Sequence, residues 1–247
     1  MNISLIIPCY NEELNIQKGV LDRIGNYSLR DNAIKEVIIV DDGSTDLSSE
    51  IIKKKYLKLF NRFSLTEIKH QGKAMAVIAG IERAGSEYVV FADIDQATPI
   101  EEVKKIYSAF NKGHEIVIGS RYNARSGAPI LRRVQSRGFT FIRSILIGLN
   151  GIHDTQCGFK GFKTDIALQI IKHLKVFASN HEVKGSSVSA AFDLEFLFIA
   201  KKLGYDIKEV PVEWRHAETK NVAFIKDSIE TIADILKIRV NDFSGKY

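Results

Sequence analysis

Short apolar runs recur along the first half of the chain, each closed by polar or turn-forming residues and followed by a stretch of helical spacing. Ile3 to Ile7 ends at Pro8, and Glu36 to Val40 is closed by Asp41-Asp42-Gly43-Ser44. Leu65 to Ile68 is weaker, Tyr88 to Ala92 runs into Asp93-Ile94-Asp95, and Glu115 to Ile118 ends at Gly119-Ser120-Arg121. Helical patterns fill the gaps: one reaching about Ile24, one capped by Asp46 through the lysine-rich fifties, one from Gly72-Lys73 to Ala84, and Glu101 to Lys112. Strand-length apolar runs alternating with helices predict βα units on a mostly parallel central sheet flanked by helices, an α/β fold.

After Arg121 the alternation breaks. Ile130 to Leu149 has helical spacing, with Val134, Phe141, Ile142, Ile145 and Leu149 on one side and Arg133, Arg137 and Thr140 on another. A short element around Gly161–Lys163, a helix from Asp165, a polar loop over 176–190, a helix Ala191–Leu203 and a strand Ile207–Val212 follow. Asn221 to Asn241 is amphipathic, with Val222, Ile225, Ile229, Ile232 and Leu236 at spacings of three and four.

With 247 residues, 45% of them hydrophobic, the chain can bury one substantial core. The net charge of +5 is uneven: Ile116 to His153 holds no acidic residue but Arg121, Arg125, Arg132, Arg133, Arg137 and Arg143. A basic surface is therefore local, and nucleic-acid binding by the whole body is not implied. Cys9 and Cys157 lie far apart at no metal-knuckle spacing. Met1 to Leu5 enters a strand pattern directly and no apolar run reaches ~18 residues, so neither a signal peptide nor a spanning helix is expected.

In parallel sheets, ligands gather beyond the carboxyl ends of the strands, where this chain's polar clusters fall. Asp93 and Asp95 suit a divalent cation shared with a phosphate-bearing ligand, or are only turn carboxylates. Asp41 and Asp42 can accept from ribose hydroxyls or a base N–H, or merely make a turn. Tyr10, beside Pro8 and Glu12, can flank a base, and Lys73 at a helix start can meet a nucleotide. Arg121 ends a strand near any diphosphate there. Arg132, Arg133 and Arg137 read as a clamp for an anionic acceptor or as one solvated face. The helices 130–149 and 221–241 admit core packing or a lipid interface. The histidines are scattered and read as structural or surface, and no Ser/His/Asp arrangement, Gly-x-Gly-x-x-Gly or P-loop occurs.

Ile6-Ile7-Pro8-Cys9-Tyr10-Asn11-Glu12-Glu13, Val40-Asp41-Asp42-Gly43-Ser44-Thr45-Asp46, Gly72-Lys73-Ala74 and Asp93-Ile94-Asp95 resemble the inverting family-2 glycosyltransferases of GT-A fold. Gly119-Ser120-Arg121, Asp154 to Lys160, Phe192-Asp193-Leu194-Glu195 and Pro211-Val212-Glu213-Trp214 look like the polyprenyl-phosphate members. The dolichyl-phosphate glucosyl branch is nearest and the mannosyl branch a cousin. In the mannosyl branch a glutamine stands two residues after the second aspartate; here Gln96 is one position early and Ala97 takes its place.

The resemblance implies one domain over 1–247: a nucleotide-sugar half at 1–121, an acceptor half at 122–220 and an amphipathic helix at 221–241. It implies a UDP-glucose or GDP-mannose donor, Mg²⁺ or Mn²⁺ on Asp93 and Asp95, and dolichyl or another polyprenyl phosphate as acceptor. Pro8, Tyr10, Asn11, Glu12, Asp41, Asp42, Lys73 and Asp93 would hold the nucleotide. Arg121, with Arg132, Arg133, Arg137, Arg215 and Lys220, would meet phosphates, while Asp93, Asp95 and Arg121 carry catalysis. Asp154, Asp193 and Glu195 fall on the acceptor side, where Asp154 or Asp193 would serve as base if the acceptor were a saccharide. The expected location is peripheral, on the cytoplasmic face of a membrane. A non-catalytic nucleotide-sugar sensor is the reading outside the enzyme class.

Overall fold

The computed structural model describes residues 1–121, 147–149, 151–177, 191–215 and 224–247, the last stretch with its side chains from 232 onward. Among the described residues seven strands form one sheet: β1 Ile3–Cys9, β2 Ile34–Asp41, β3 Phe63–Glu67, β4 Tyr88–Ala92, β5 Ile116–Ser120, β6 Phe159–Lys163 and β7 Ile207–Pro211. Their order is β3-β2-β1-β4-β6-β5-β7. All pairings are parallel except those of β6, which enters antiparallel between β4 and β5. The expected α/β sheet is present, and the short element near Gly161 is this inserted strand.

All seven residues of β1 are buried, because both faces of the sheet are covered. Ile3, Leu5, Ile7 and Cys9 face one core, closed by the helices Val20–Arg30 and Val103–Phe110. Ile6, Ile38, Val40 and Phe91 face the other, beneath the helices Lys73–Arg83, Thr164–His173, Ala191–Lys202 and Phe224–Phe243. The missing side chain at Gly80 leaves the room that Ile6 and Val40 occupy, so the helix Lys73–Arg83 lies tight against β1 and β2. That close packing fixes where Lys73, its first residue, arrives.

Several boundaries differ from the periodicity. The first helix is two, Glu13–Gln17 and Val20–Arg30, broken at Gly19 with a left-handed φ of 80°. The lysine-rich helix begins at Ser48 and contains a π-helical stretch, Ile52–Tyr56; Asp46 accepts from Ser48 N at 3.0 Å. The expected helix over 130–149 lies outside the described residues apart from 147–149, as does the loop from 178 to 190.

Candidate active site at the carboxyl edge of the sheet

β1, β2, β4, β5 and β7 run parallel, so their ends open on one edge. Cys9 registers with Asp41 and Ser120 with Pro211. Asp93 follows β4 directly. A turn closes there with Gln96 N donating to Asp93 O at 3.3 Å, and Gln96 takes a left-handed φ of 55°. Gln96 is buried, and its side chain holds the loop from both sides: Nε2 donates to Asp93 O at 3.2 Å and Oε1 accepts from Ile100 N at 3.0 Å. Asp95 accepts from Ala97 N at 2.9 Å. Ala97 O in turn accepts from Arg215 N at 2.8 Å, which ties the chain after β7 to the aspartate loop.

The two carboxylates are differently placed. Asp93 carries the Lys73 ammonium on Oδ1. Burial would lower the Lys73 ammonium, but Asp93, Asp193 and Asp95 outweigh it and raise its pKa. Burial raises the Asp95 carboxyl, Asp93 adds to that, and the Ala97 N–H and Lys73 oppose it. Two crowded carboxylates with a lysine on one of them form a hard-oxygen donor set that suits Mg²⁺ or Mn²⁺. Among the described residues no group of three or more metal-ligating side chains gathers.

Opposite them, Arg121 forms a fork with Asp154: Nε to Oδ2 at 2.7 Å and Nη2 to Oδ1 at 2.8 Å. Its backbone N–H also donates to Asp154 Oδ2 at 3.0 Å, and its guanidinium lies 5.9 Å from the Trp214 ring centroid. Asp154 is anchored by its own N–H donating to Glu209 on β7 at 2.7 Å. Burial would lower the Arg121 guanidinium, but Asp154 more than reverses this and it stays charged. Asp93, Thr98, Arg121, Gly158 and Trp214 line a narrow cleft. Gly158 stands so close to Asp93 that a β-carbon there would overlap its carboxylate.

The other expected nucleotide residues lie at the ends of β1 and β2 and on the loops that follow them. The Asn11 side-chain oxygen accepts from Thr45 N at 2.7 Å, and the Asn11 backbone N–H donates to Ser44 Oγ at 2.9 Å. Glu12 N donates to Ser48 Oγ at 2.8 Å. These bonds knit the loops after β1 and β2. Pro8 is buried within β1, paired with Val40. Asp41 bonds the Ser44 hydroxyl and N–H; burial raises its carboxyl, while the Ser44 bonds pull the other way. Asp42 turns to the loop before Lys73, accepting from Gln71 N and Gly72 N at 2.8 Å each and meeting His70 Nδ1 at 2.9 Å. Tyr10 stacks on His70 with centroids 4.1 Å apart.

The acceptor-side acids already have partners: Asp154 holds Arg121. Asp193 pairs with Lys160 at 2.7 Å, and that lysine is 1% exposed. Glu195 is fully buried in the helix Ala191–Lys202 and accepts from Lys175, Val176 and Phe177 N–H groups at 2.8, 2.8 and 2.9 Å. The Tyr247 hydroxyl also donates to it. Glu195 therefore holds the fold rather than facing the cleft, against its acceptor-side expectation. Arg215 is exposed and 3.6 Å from Glu213. Arg132, Arg133, Arg137 and Lys220 lie outside the described residues.

Sequence reading gave no role to Gly158, Lys160, His70 or Trp214. Gly158 and Trp214 sat inside motif runs without chemistry of their own, and His70 was one scattered histidine. Only the fold brings them to the edge.

Residues 4–170 match the family described as Glycosyl transferase family 2. A dolichyl-phosphate beta-glucosyltransferase of Trichomonas vaginalis is 34% identical over 96% of this chain and 73% of its own length. The human dolichyl-phosphate beta-glucosyltransferase is 30% identical over 99% of this chain and 77% of its own. Among solved structures, glucosyl-3-phosphoglycerate synthase of Mycobacterium tuberculosis, in complex with Mn²⁺, UDP and glucosyl-3-phosphoglycerate, matches with a TM-score of 0.66 at 18% identity. That match covers 96% of this chain and 79% of that one.

Proposed function

Because the chain belongs to glycosyl transferase family 2, we propose that it transfers a hexose, glucose favoured over mannose, from a nucleotide-sugar donor to dolichyl phosphate or a related polyprenyl phosphate. The observation that carries this reading is the convergence of Asp93, Asp95, Lys73 and Arg121 on one sheet edge, in a chain whose relatives bear that name over nearly its whole length. UDP-glucose is the preferred donor, in keeping with the UDP bound by the structural neighbour.

A phosphomonoester with a second pKa of ~6 is mostly dianionic at neutral pH. Its oxygen can attack the anomeric carbon without a protein base. The new bond joins that oxygen to C1, the bond from C1 to the donor's β-phosphate oxygen breaks, and the nucleoside diphosphate leaves; one such displacement inverts the configuration. The engagement of Asp154, Asp193 and Glu195 supports this over a saccharide acceptor, which needs a free acid as base. Asp93 and Asp95 would hold Mg²⁺ or Mn²⁺, which supplies charge stabilisation on the leaving diphosphate. Lys73 and Arg121 add fixed positive charge at the same edge. Arg132, Arg133, Arg137, Arg215 and Lys220 are the proposed contacts for the acceptor phosphate.

The acceptor lies in a bilayer, so the protein works at a membrane surface, peripherally and from the cytoplasmic face. No helix among the described residues is long and apolar enough to cross a membrane. The helix Phe224–Phe243 exposes Ile232, Leu236, Val240 and Phe243, a pattern that supports interfacial binding.

The test is transfer itself. The protein is incubated with Mn²⁺, polyprenyl phosphate and radiolabelled UDP-glucose or GDP-mannose, and the lipid is extracted. Label from UDP-glucose in the organic phase, abolished by EDTA, is the expected result; no label from either donor would overturn the proposal.

A further inference from the structure

We infer that His70 is a positioning residue for the donor's nucleobase, acting through Tyr10. This inference rests on the proposed function, since it concerns the nucleotide half of the same site. Tyr10 follows β1 directly, on the loop that Asn11 and Ser44 knit to the end of β2. His70 comes from a different segment, between β3 and the helix Lys73–Arg83. The two rings meet at 4.1 Å between centroids with an interplanar angle of 15°, a stacked pair.

The imidazole is held in place from behind. Its Nδ1 lies 2.9 Å from Asp42 Oδ2 and 3.1 Å from Asp42 O. Asp42 is 2% exposed and is fixed by two backbone N–H groups, those of Gln71 and Gly72. Gly43, with a φ of 68°, lets the end of β2 approach the backbone of His70: a β-carbon there would lie 2.9 Å from His70 N. A buried carboxylate thus orients an imidazole, and the imidazole sets the plane of an aromatic ring on the neighbouring loop.

A ring covered on one side can offer a planar ligand only its other side. Because stacking between flat rings depends on their tilt and offset, the ring beneath Tyr10 fixes how a base is received above it. The arrangement orders the base platform before the ligand arrives, which lowers the cost of binding. The chemistry it fits is a purine or pyrimidine ring. The phosphates lie elsewhere, with Lys73 and the aspartates.

Two substitutions separate the ring from its anchor. His70→Asn keeps a side-chain amide that can reach Asp42 but removes the ring; His70→Phe keeps the ring and gives up the bond to Asp42. Binding of UDP with Mn²⁺ is measured by calorimetry, with GDP as a second arm and inorganic diphosphate, which has no base, as the control. We expect His70→Asn to weaken UDP binding by about three- to tenfold, the scale of one aromatic pair. His70→Phe should restore most of that loss, and diphosphate binding should be the same in all three proteins. In turnover, KM for UDP-glucose should rise in His70→Asn while kcat at saturating donor is kept.

UDP binding by His70→Asn equal to wild type, or an equal loss for diphosphate, overturns the role of His70. If Tyr10→Ala binds UDP as wild type does, Tyr10 is not the platform and the inference falls with it, while the transferase reading stands. If the wild-type protein binds neither UDP nor GDP, both fall.

Discussion

Gly158 and Asp93 share one space: the carboxylate of Asp93 occupies the volume a side chain at 158 would need. The glycine sits just before β6, the antiparallel strand whose Phe159 pairs with Ala92 at the end of β4. With the Asp93 carboxylate in this position, the backbone at 158 has no room for a β-carbon. Gly158→Ala is expected to fold, since the aspartate can rotate away, but to lose at least about tenfold in turnover through misplacement of a positioned group. A thermal melt beside a transfer assay checks this, and a fully active Gly158→Ala would show that Asp93 works from another rotamer.

Asp95 is predicted to work against stability. Burial first, and the Asp93 charge with it, raise its carboxyl above the ordinary value. The folded chain therefore holds that proton more tightly than the unfolded chain does. Stability falls as pH rises from the unfolded value through the raised native one. Asp95→Asn should accordingly melt above wild type at neutral pH, with the gap closing in acid, while transfer is lost. Mn²⁺ with UDP should raise the melting temperature of the wild type and leave that of Asp95→Asn unmoved. An Asp95→Asn protein that melts lower than wild type at neutral pH would contradict this account.

The first five strands, and the clusters at their ends, follow from local pattern alone: apolar runs of strand length closed by Pro8, Asp41, Asp93 and Arg121. That was enough to bring Asp41, Asp93 and Arg121 to one edge. The remainder was not local. Asp42 and Asp41 look alike in sequence, yet one braces the loop before Lys73 and the other its own turn. Asp193 and Glu195 sit two residues apart on one helix, and that spacing turns them to different neighbours: Lys160 near the site, and the N–H groups of 175–177 in the core. β6 was legible only as a short element, because nothing in five residues declares which strands it will separate.

Glu195 gives a contrasting prediction. Its carboxylate serves three backbone N–H groups and the Tyr247 hydroxyl in a fully buried setting. Burial and Glu195 itself raise the Tyr247 phenol, so that hydroxyl remains a donor. Glu195→Gln turns an amide N–H₂ toward groups that are already donors. The expected loss is about 2–4 kcal/mol, which at about 2–4 °C per kcal/mol lowers Tm by several degrees. Turnover well below that melt should be near normal. Selective loss of kcat in a protein of unchanged Tm would instead return Glu195 to the chemistry.

The Arg121–Asp154 fork decides between two roles for the same acid. Both side chains are largely buried, at 16% and 7% exposure, so removing one partner strands the other at about 3–5 kcal/mol. If Asp154 orients Arg121 toward the diphosphate, Asp154→Asn and Arg121→Gln should lower kcat/KM by similar factors. The double variant should then be little worse than either single one, because the two losses are the same loss counted twice. If Asp154 were a base for an acceptor hydroxyl, its removal would instead add to that of Arg121. It would also remove an acidic limb from the pH dependence of kcat that Arg121→Gln leaves in place. Non-additive kinetics with an unaltered acidic limb is the outcome expected, and the double-mutant cycle in kcat/KM measures it.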